Sequence, residues 1–118
     1  MIKQQYDLLV IGGGPGGRRS AVQAAKFGKN VLVIDGRELG GVSVHTGTIP
    51  SKTIRESVLN LTGFRERNFY EKTIKKASTE DIFRRVKTVQ SREVELLKRQ
   101  FERNGVSTLN ALASFKDK

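Results

Sequence analysis

The chain has 118 residues, 36% of them hydrophobic, and a mean hydropathy of −0.42, which gives room for one small water-exposed domain. Its longest apolar runs, Leu8–Ile11 and Val31–Ile34, are far too short to cross a membrane, which takes about 20 residues. The formal net charge of +10 leaves two classes of partner open, nucleic acids and phosphate-bearing cofactors.

The distribution of charge favours the second class. Basic residues occur mostly singly or in pairs such as Arg18-Arg19, and aromatic residues, 7% of the chain, are not interleaved with them. We therefore expect no nucleic-acid partner and no membrane partner. The N-terminus lacks the apolar core of a signal peptide and the chain contains no cysteine, so a cytoplasmic location is expected.

The first 35 residues have a βαβ pattern. Residues 6–11 predict a buried strand, residues 15–27 a helix and residues 31–35 a second strand. A strand, a crossover helix and a second strand predict a parallel sheet.

A glycine-rich turn follows the first strand. Gly12, Gly14 and Gly17 have the G-x-G-x-x-G spacing between that strand and the helix. The first glycine permits a tight turn, the second lets a pyrophosphate approach, and the third lets the helix pack closely. Asp35 ends the second strand, where an acid accepts hydrogen bonds from an adenosine ribose. The pattern predicts a dinucleotide site.

Residues 36–49 contain four glycines and predict a loop that passes close to a ligand. A helix with Pro50 in its first turn is predicted next, with Ile54, Val58 and Leu61 on one face and Gly63 at its end. Residues 65–77 are polar and predict a second loop.

Ser78 and Asp81 have the spacing of a capping box and predict the start of a long helix that runs to about Arg103. One apolar stripe follows it: Ile82, Val86, Val89, Val94, Leu97 and Phe101. Residues 106–109 predict a third strand and residues 111–115 the start of a fourth. These elements predict an α/β, Rossmann-like parallel sheet with a long helical excursion, and residues 1–118 as the N-terminal part of an incomplete domain.

A second motif occupies residues 40–52. It reads Gly-Gly-Val-Ser-Val-His-Thr-Gly-Thr-Ile-Pro-Ser-Lys and resembles the flavin-side active-site segment of the pyridine nucleotide–disulfide oxidoreductases. That family has two cysteines with four residues between them, and the matching positions here are Ser43 and Thr48. Hydroxyl groups can form neither the disulfide nor the reactive thiolate, so the dithiol half-reaction is not expected.

The Thr-Gly-Thr-Ile-Pro-Ser-Lys variant, followed by Ile54-Arg55-Glu56, looks like the soluble (Si-specific) NAD(P) transhydrogenases, and the resemblance covers essentially the whole chain. It departs in having Asp35 where Glu is commoner and Ala111 where the family's Gly-x-Ala-x-Phe segment begins with glycine. The resemblance implies the N-terminal FAD-binding part of a homodimeric flavoenzyme that passes hydride between NADPH and NAD through FAD. The chain alone is not expected to turn over.

The resemblance also implies the roles of individual residues. Thr48 and Lys52 would lie near the flavin as the candidate catalytic residues, with Lys52 stabilising charge on the reduced ring. Ala113 would meet the adenine. The implied FAD-binding residues are Gly12, Gly14, Pro15, Gly16, Gly17, Asp35, Gly36, Arg37, Gly40, Gly41, Val42, Ser43, Gly47, Thr48, Lys52 and Ala113.

Other functions remain open on the sequence alone. A related NAD(P)H-dependent flavin reductase acting on a quinone or another acceptor would carry the same motifs. A basic Rossmann-like module that binds nucleic acid or a protein is an alternative of another class. His45, the only histidine, is assigned to the loop rather than to catalysis, and no residue cluster predicts a metal site.

Overall fold

The computed structural model describes residues 4–62 and 78–116. In chain order the elements are β1 (Leu8–Ile11), α1 (Pro15–Lys26), β2 (Val31–Asp35), α2 (Gly41–His45), α3 (Thr48–Leu61), α4 (Thr79–Arg103) and β3 (Ser107–Asn110). The predicted end of the third helix at Gly63 and the predicted loop 65–77 lie outside the described residues. No helix in the described ranges is long and apolar enough to cross a membrane.

The three strands form one parallel sheet in the order β1-β2-β3, so β2 is central. Leu8 pairs with Val31 and Ile11 with Ile34, while Leu32 pairs with Ser107. This confirms the predicted Rossmann-like α/β class and places the carboxyl ends of all three strands at one edge. The loops after β1 and β2 therefore leave the sheet side by side.

The core lies on one face of the sheet. Val10, Val31 and Val33 point to this face and are buried with Ala21 and Val22 of α1. The other buried members of the cluster are Leu39, Phe101 of α4 and Val106. The alternate strand positions point to the other face, where the side chains of Leu9 and Ile11 are 56% and 61% exposed. The helices of residues 4–62 and 78–116 thus cover only one side of the sheet.

Helix α4 begins at the predicted capping box. The Ser78 hydroxyl accepts a hydrogen bond from the Asp81 N–H, and the Asp81 carboxylate accepts one from the Ser78 N–H at 3.2 Å. These bonds, from the backbone and then the hydroxyl of Ser78, lower the pKa of Asp81 below its ordinary value of 3.8. The helix ends at Arg103, before Asn104-Gly105 as predicted, and four members of its apolar stripe are buried.

Two sequence predictions are wrong, and the bounds of three other elements are displaced. Residues 36–49 are not one loop, because residues 41–45 form α2, whose Val44 is buried. Residues 111–115 form no strand: they pair with neither outer edge of the described sheet. Helix α3 begins at Thr48, so that Pro50 lies within its first turn as predicted. Strand β1 begins at Leu8 rather than at residue 6, α1 ends at Lys26 rather than at residue 27, and β3 spans Ser107–Asn110 rather than 106–109.

Candidate functional site

The glycine turn, residues 12–17, connects the carboxyl end of β1 to α1. The Gly12 N–H donates to the Ile34 carbonyl at 2.8 Å, which ties the start of the turn to β2. A Cβ atom on Gly17 would overlap the Gly12 carbonyl oxygen and lie 3.0 Å from a methyl of Val10. Helix α1 can therefore approach the strand this closely only with glycine at position 17, as the sequence predicts.

The first turn of α1 has unused hydrogen-bond donors. Gly14 is the N-cap, no side chain caps the helix, and its first turn contains no acidic residue. Pro15 has no N–H, and the first helical bond is from the Arg18 N–H to the Gly14 carbonyl at 2.8 Å. The N–H groups of Gly16 and Gly17 thus have no intrahelical acceptor, and together with the helix dipole they favour an anion.

The start of α2 packs directly on this turn. The Gly40 N–H donates to the Gly13 carbonyl at 3.0 Å, and a Cβ on Gly41 would lie 3.0 Å from the Gly14 Cα. Gly40 has a φ of +116°, and a Cβ there would also meet the Val44 side chain at 2.6 Å. Two glycine pairs thus let two backbone segments meet without intervening side chains.

A cavity of about 160 Å³ lies beside this contact. Four of its lining residues, Gly14, Pro15, Gly40 and Ser43, were predicted to bind the cofactor. The others are Gly13, Arg18, Val44, Ile49, Glu93 and Leu97. The cavity therefore has a wall of backbone and small residues, an apolar wall, and two charged side chains.

Helix α4 holds α2 in place. The Gln90 side-chain amide donates to the carbonyls of Val44 and His45, at 3.1 and 2.9 Å, which caps the carboxyl end of α2. Val44 is buried with Val94 and Leu97 of α4. These contacts span more than forty residues of sequence, so they fix the site through tertiary structure.

Asp35 links the end of β2 to the glycine turn. Its carboxylate accepts from the Gly13 N–H at 2.6 Å and from the Arg37 N–H at 3.0 Å. Each oxygen retains a lone pair for a further donor, such as a ribose hydroxyl. Asp35 and Arg37 also line a second cavity, of about 170 Å³, together with Lys98 of α4 and Asn110 of β3.

The segment after β3 lies across the end of β2. The Ala111 N–H donates to the Asp35 carbonyl at 3.0 Å, and a Cβ on Gly36 would be 2.5 Å from a Leu112 methyl. Leu112 itself is 90% exposed, and Ala113 is also exposed. Ala113 thus lies two residues after Ala111, whose N–H bonds to the end of β2. It lines neither of the two cavities.

The remaining predicted site residues lie on α2 and at the start of α3. Ser43 is half-buried and its hydroxyl donates to the Gly40 carbonyl at 3.0 Å, while Val42 is exposed. Gly47 is the N-cap of α3, which has no side-chain cap and no acid in its first turn. Thr48 and Lys52 are exposed, one helical turn apart, and line neither of the two cavities.

Two charged residues that line the first cavity, Arg18 and Glu93, were not predicted. Arg18 was treated only as half of a basic pair, although the G-x-G-x-x-G spacing places it one residue past the third glycine. Glu93 is on α4, and no local pattern connects that helix to the glycine turn. Residues 4–62 and 78–116 contain no group of three or more His, Cys, Asp or Glu side chains that could hold a metal ion.

His45 is the last residue of α2, so its assignment to a loop is wrong. Its Nε2 lies 3.0 Å from the Leu39 carbonyl oxygen. A carbonyl oxygen only accepts, so Nε2 carries the proton of this bond. The contact ties the end of α2 to the loop that follows β2.

Comparisons with known proteins agree with this geometry. The family model of the pyridine nucleotide-disulphide oxidoreductases matches residues 6–117. A soluble pyridine nucleotide transhydrogenase of Mycobacterium bovis (strain BCG / Pasteur 1173P2) is 42% identical over 118 residues, which are 97% of this chain and 25% of the relative. One of Ectopseudomonas mendocina (strain ymp) is 35% identical over 120 residues, 99% of this chain and 26% of the relative.

The chain thus spans about a quarter of the length of these relatives. The family match, by contrast, extends over nearly all of its residues and includes both the glycine turn and the contact with α2. The chain belongs to the pyridine nucleotide-disulphide oxidoreductase family.

Proposed function

We propose that this chain is the N-terminal part of the FAD-binding domain of a transhydrogenase that passes hydride between NADPH and NAD. The observation that carries the proposal is the backbone contact between the glycine turn and α2, beside a cavity into which Ser43 rather than a cysteine projects. The relatives named as soluble pyridine nucleotide transhydrogenases support it.

The residues present fit a dinucleotide. A diphosphate needs donors and a close backbone approach, and the uncapped start of α1 supplies the N–H groups. The nearest atom to a Cβ built on Gly14 is 3.9 Å away, the Gly41 Cα, so Gly14 leaves room on its surface for phosphate oxygens. Asp35, at the carboxyl edge of the sheet, would accept from the ribose hydroxyls.

Bound FAD would supply the hydride-accepting chemistry, and the chain's residues would orient it. Gly12, Gly16, Gly17 and the loop from Gly36 to Gly41 would hold the diphosphate and its neighbours. Thr48 and Lys52, at the start of α3, would face the ring system. A lysine there would favour negative charge on the reduced ring.

The replacement of both family cysteines by hydroxyl residues determines which acceptor can take the electrons of a reduced flavin. A disulfide beside a reduced flavin would accept its electrons and become a dithiol, whereas the hydroxyls of Ser43 and Thr48 cannot accept them. A nicotinamide nucleotide is then the acceptor that the same site admits. We propose two half-reactions through one nicotinamide site, in a cytoplasmic homodimer, with no reduction of disulfide substrates.

Stopped-flow spectroscopy of the full-length protein tests the proposal. NADPH should bleach the flavin absorbance, and a NAD analogue should restore it. Replacing Lys52 with Met should slow bleaching by roughly ten- to a few-hundred-fold while FAD stays bound, because a few kcal/mol of charge stabilisation is lost. Lys29→Met is the matched control, since Lys29 lies between α1 and β2, at the opposite edge of the sheet from the site.

The outcomes separate the two flavoenzyme functions. Rapid reoxidation by quinones, with no response to the NAD analogue, would show an acceptor reductase instead. Colourless protein that binds DNA would remove the flavin assignment altogether.

A further inference from the structure

Two oppositely charged side chains line the cavity beside the glycine turn. Arg18 is in the first turn of α1 and Glu93 is in the middle of α4, and both are half-buried. Neither forms an ion pair with another residue in the described ranges, 4–62 and 78–116. The cavity therefore contains a cation and a carboxylate that do not neutralise each other.

Glu93 is held firmly at this wall. The next residue, Val94, is buried against Val44, and Leu97, one turn further on, belongs to the same cluster. Gln90, nearly one turn before it, bonds to the end of α2. These contacts before and after Glu93 fix the helix backbone at this position. The Glu93 side chain therefore leaves α4 from a fixed point beside the cavity.

The two charges suit different chemical groups. A guanidinium binds phosphate oxygens with directed N–H groups. A carboxylate accepts hydrogen bonds and repels phosphate, so its natural ligand beside a diphosphate is a hydroxyl group. In FAD, one such polyol, the ribityl chain, is bonded directly to the diphosphate.

We infer that Arg18 binds the diphosphate and that Glu93 accepts hydrogen bonds from the ribityl hydroxyls. The inference rests on the proposed function and adds a cofactor specificity to it. Glu93 selects a cofactor with hydroxyl groups next to the diphosphate, and it disfavours a further phosphate at that position.

The test compares FAD with ADP, which has the adenosine and the diphosphate but no ribityl chain. Full-length protein freed of flavin is titrated with FAD, followed by flavin fluorescence, and with ADP, followed by calorimetry. Arg18→Gln should weaken both ligands by about tenfold. Glu93→Leu should weaken FAD by about ten- to a hundredfold and leave ADP within about threefold.

Two further variants make the comparison secure. Glu102→Leu removes an exposed carboxylate of α4 that lines neither cavity, and it should change neither affinity. Glu93→Gln retains the shape and one acceptor, so it should weaken FAD by only about three- to tenfold with ADP unchanged. It carries the same test if the leucine variant does not fold.

Equal weakening of FAD and ADP by the Glu93 variants would overturn the inference, because it would show a purely structural role. Tighter FAD binding in those variants would overturn it as well, since the carboxylate would then be opposing the phosphates. Wild-type protein that binds ADP but not FAD would refute the proposed function itself, before any variant is compared.

Discussion

The two halves of the candidate site are held by different means. The glycine turn, residues 12–17, is fixed by local sterics, because a side chain at Gly17 would overlap the Gly12 carbonyl. The segment 40–52, which contains α2 and the start of α3, is fixed by distant contacts from Gln90, Val94 and Leu97. The first half is thus encoded in adjacent residues, while the second depends on the packing of α4.

This difference has consequences for substitution. In the glycine turn, neighbouring positions should differ sharply, since a Cβ on Gly17 would clash with the backbone while a Cβ on Gly16 would meet no atom within 4 Å. For the segment 40–52, sensitive positions should lie on α4 as well as at Gly40 and Gly41.

The largest effect is expected at Gly17. Replacing it with Ala should lower the stability of the full-length protein by about 3 kcal/mol or more and abolish FAD binding, because the backbone of β1 or α1 must shift. Gly16→Ala is the matched control: a Cβ there has no neighbour within 4 Å, and the change in stability should stay within about 1 kcal/mol. Thermal unfolding measures both. Equal melting temperatures for the two variants would contradict the steric account.

Gly14→Val should weaken FAD binding without lowering the stability of the fold. Gly14 has an ordinary φ of −71° and only one atom, at 3.9 Å, near a built Cβ, so the protein should fold and melt close to the wild type. The branched side chain would take the space of the phosphates and weaken FAD binding by roughly a hundredfold. Flavin fluorescence gives the affinity, and retention of FAD at the wild-type level would show that the diphosphate lies elsewhere.

A change on α4 should loosen the second half of the site. Gln90→Leu leaves the carbonyls of Val44 and His45 without their amide donor and should cost about 1–3 kcal/mol of stability. Gln100→Leu, an exposed position of the same helix, is the control. Thermal unfolding again provides the measurement. If the two leucine variants have the same melting temperature, the stability of α2 does not depend on the bonds from Gln90.

The smallest effect concerns the start of α4 and depends on pH. The folded-state pKa of Asp81 is lowered by its bonds with Ser78, so its contribution to stability is present above the ordinary value of 3.8. That contribution is lost as the pH falls through the folded-state pKa. Asp81→Asn should remove this part of the acid dependence, and Ser78→Ala should cost about 1 kcal/mol at neutral pH. Circular dichroism between pH 5 and pH 2 tests this; an unchanged acid transition in Asp81→Asn would contradict it.

The same contrast explains what the sequence could predict. The parallel sheet, the glycine turn and the capping box at Ser78 follow from short patterns, and the structure confirms them. Helix α2 was mistaken for loop, because its glycines indicate irregular backbone while the contacts that make it helical come from α4. Glu93 was missed for the same reason.

The strand predicted over residues 111–115 shows a different limit. Its apolar residues suggested β-structure, but a strand also needs a free edge to pair with. Among the described residues, no such edge meets this segment. The other face of the sheet likewise exposes Leu9 and Ile11, and a local pattern cannot say what would cover it.

The central claim is that this site holds a flavin without a redox dithiol, and an anaerobic reductive titration of the full-length protein tests it most directly. A flavin alone takes up two electrons, whereas a flavin beside a disulfide takes up four before the spectrum stops changing. With Ser43 and Thr48 at the cysteine positions, we predict complete bleaching after two electrons per FAD. An uptake of four electrons, or a protein that contains no flavin, would contradict the account.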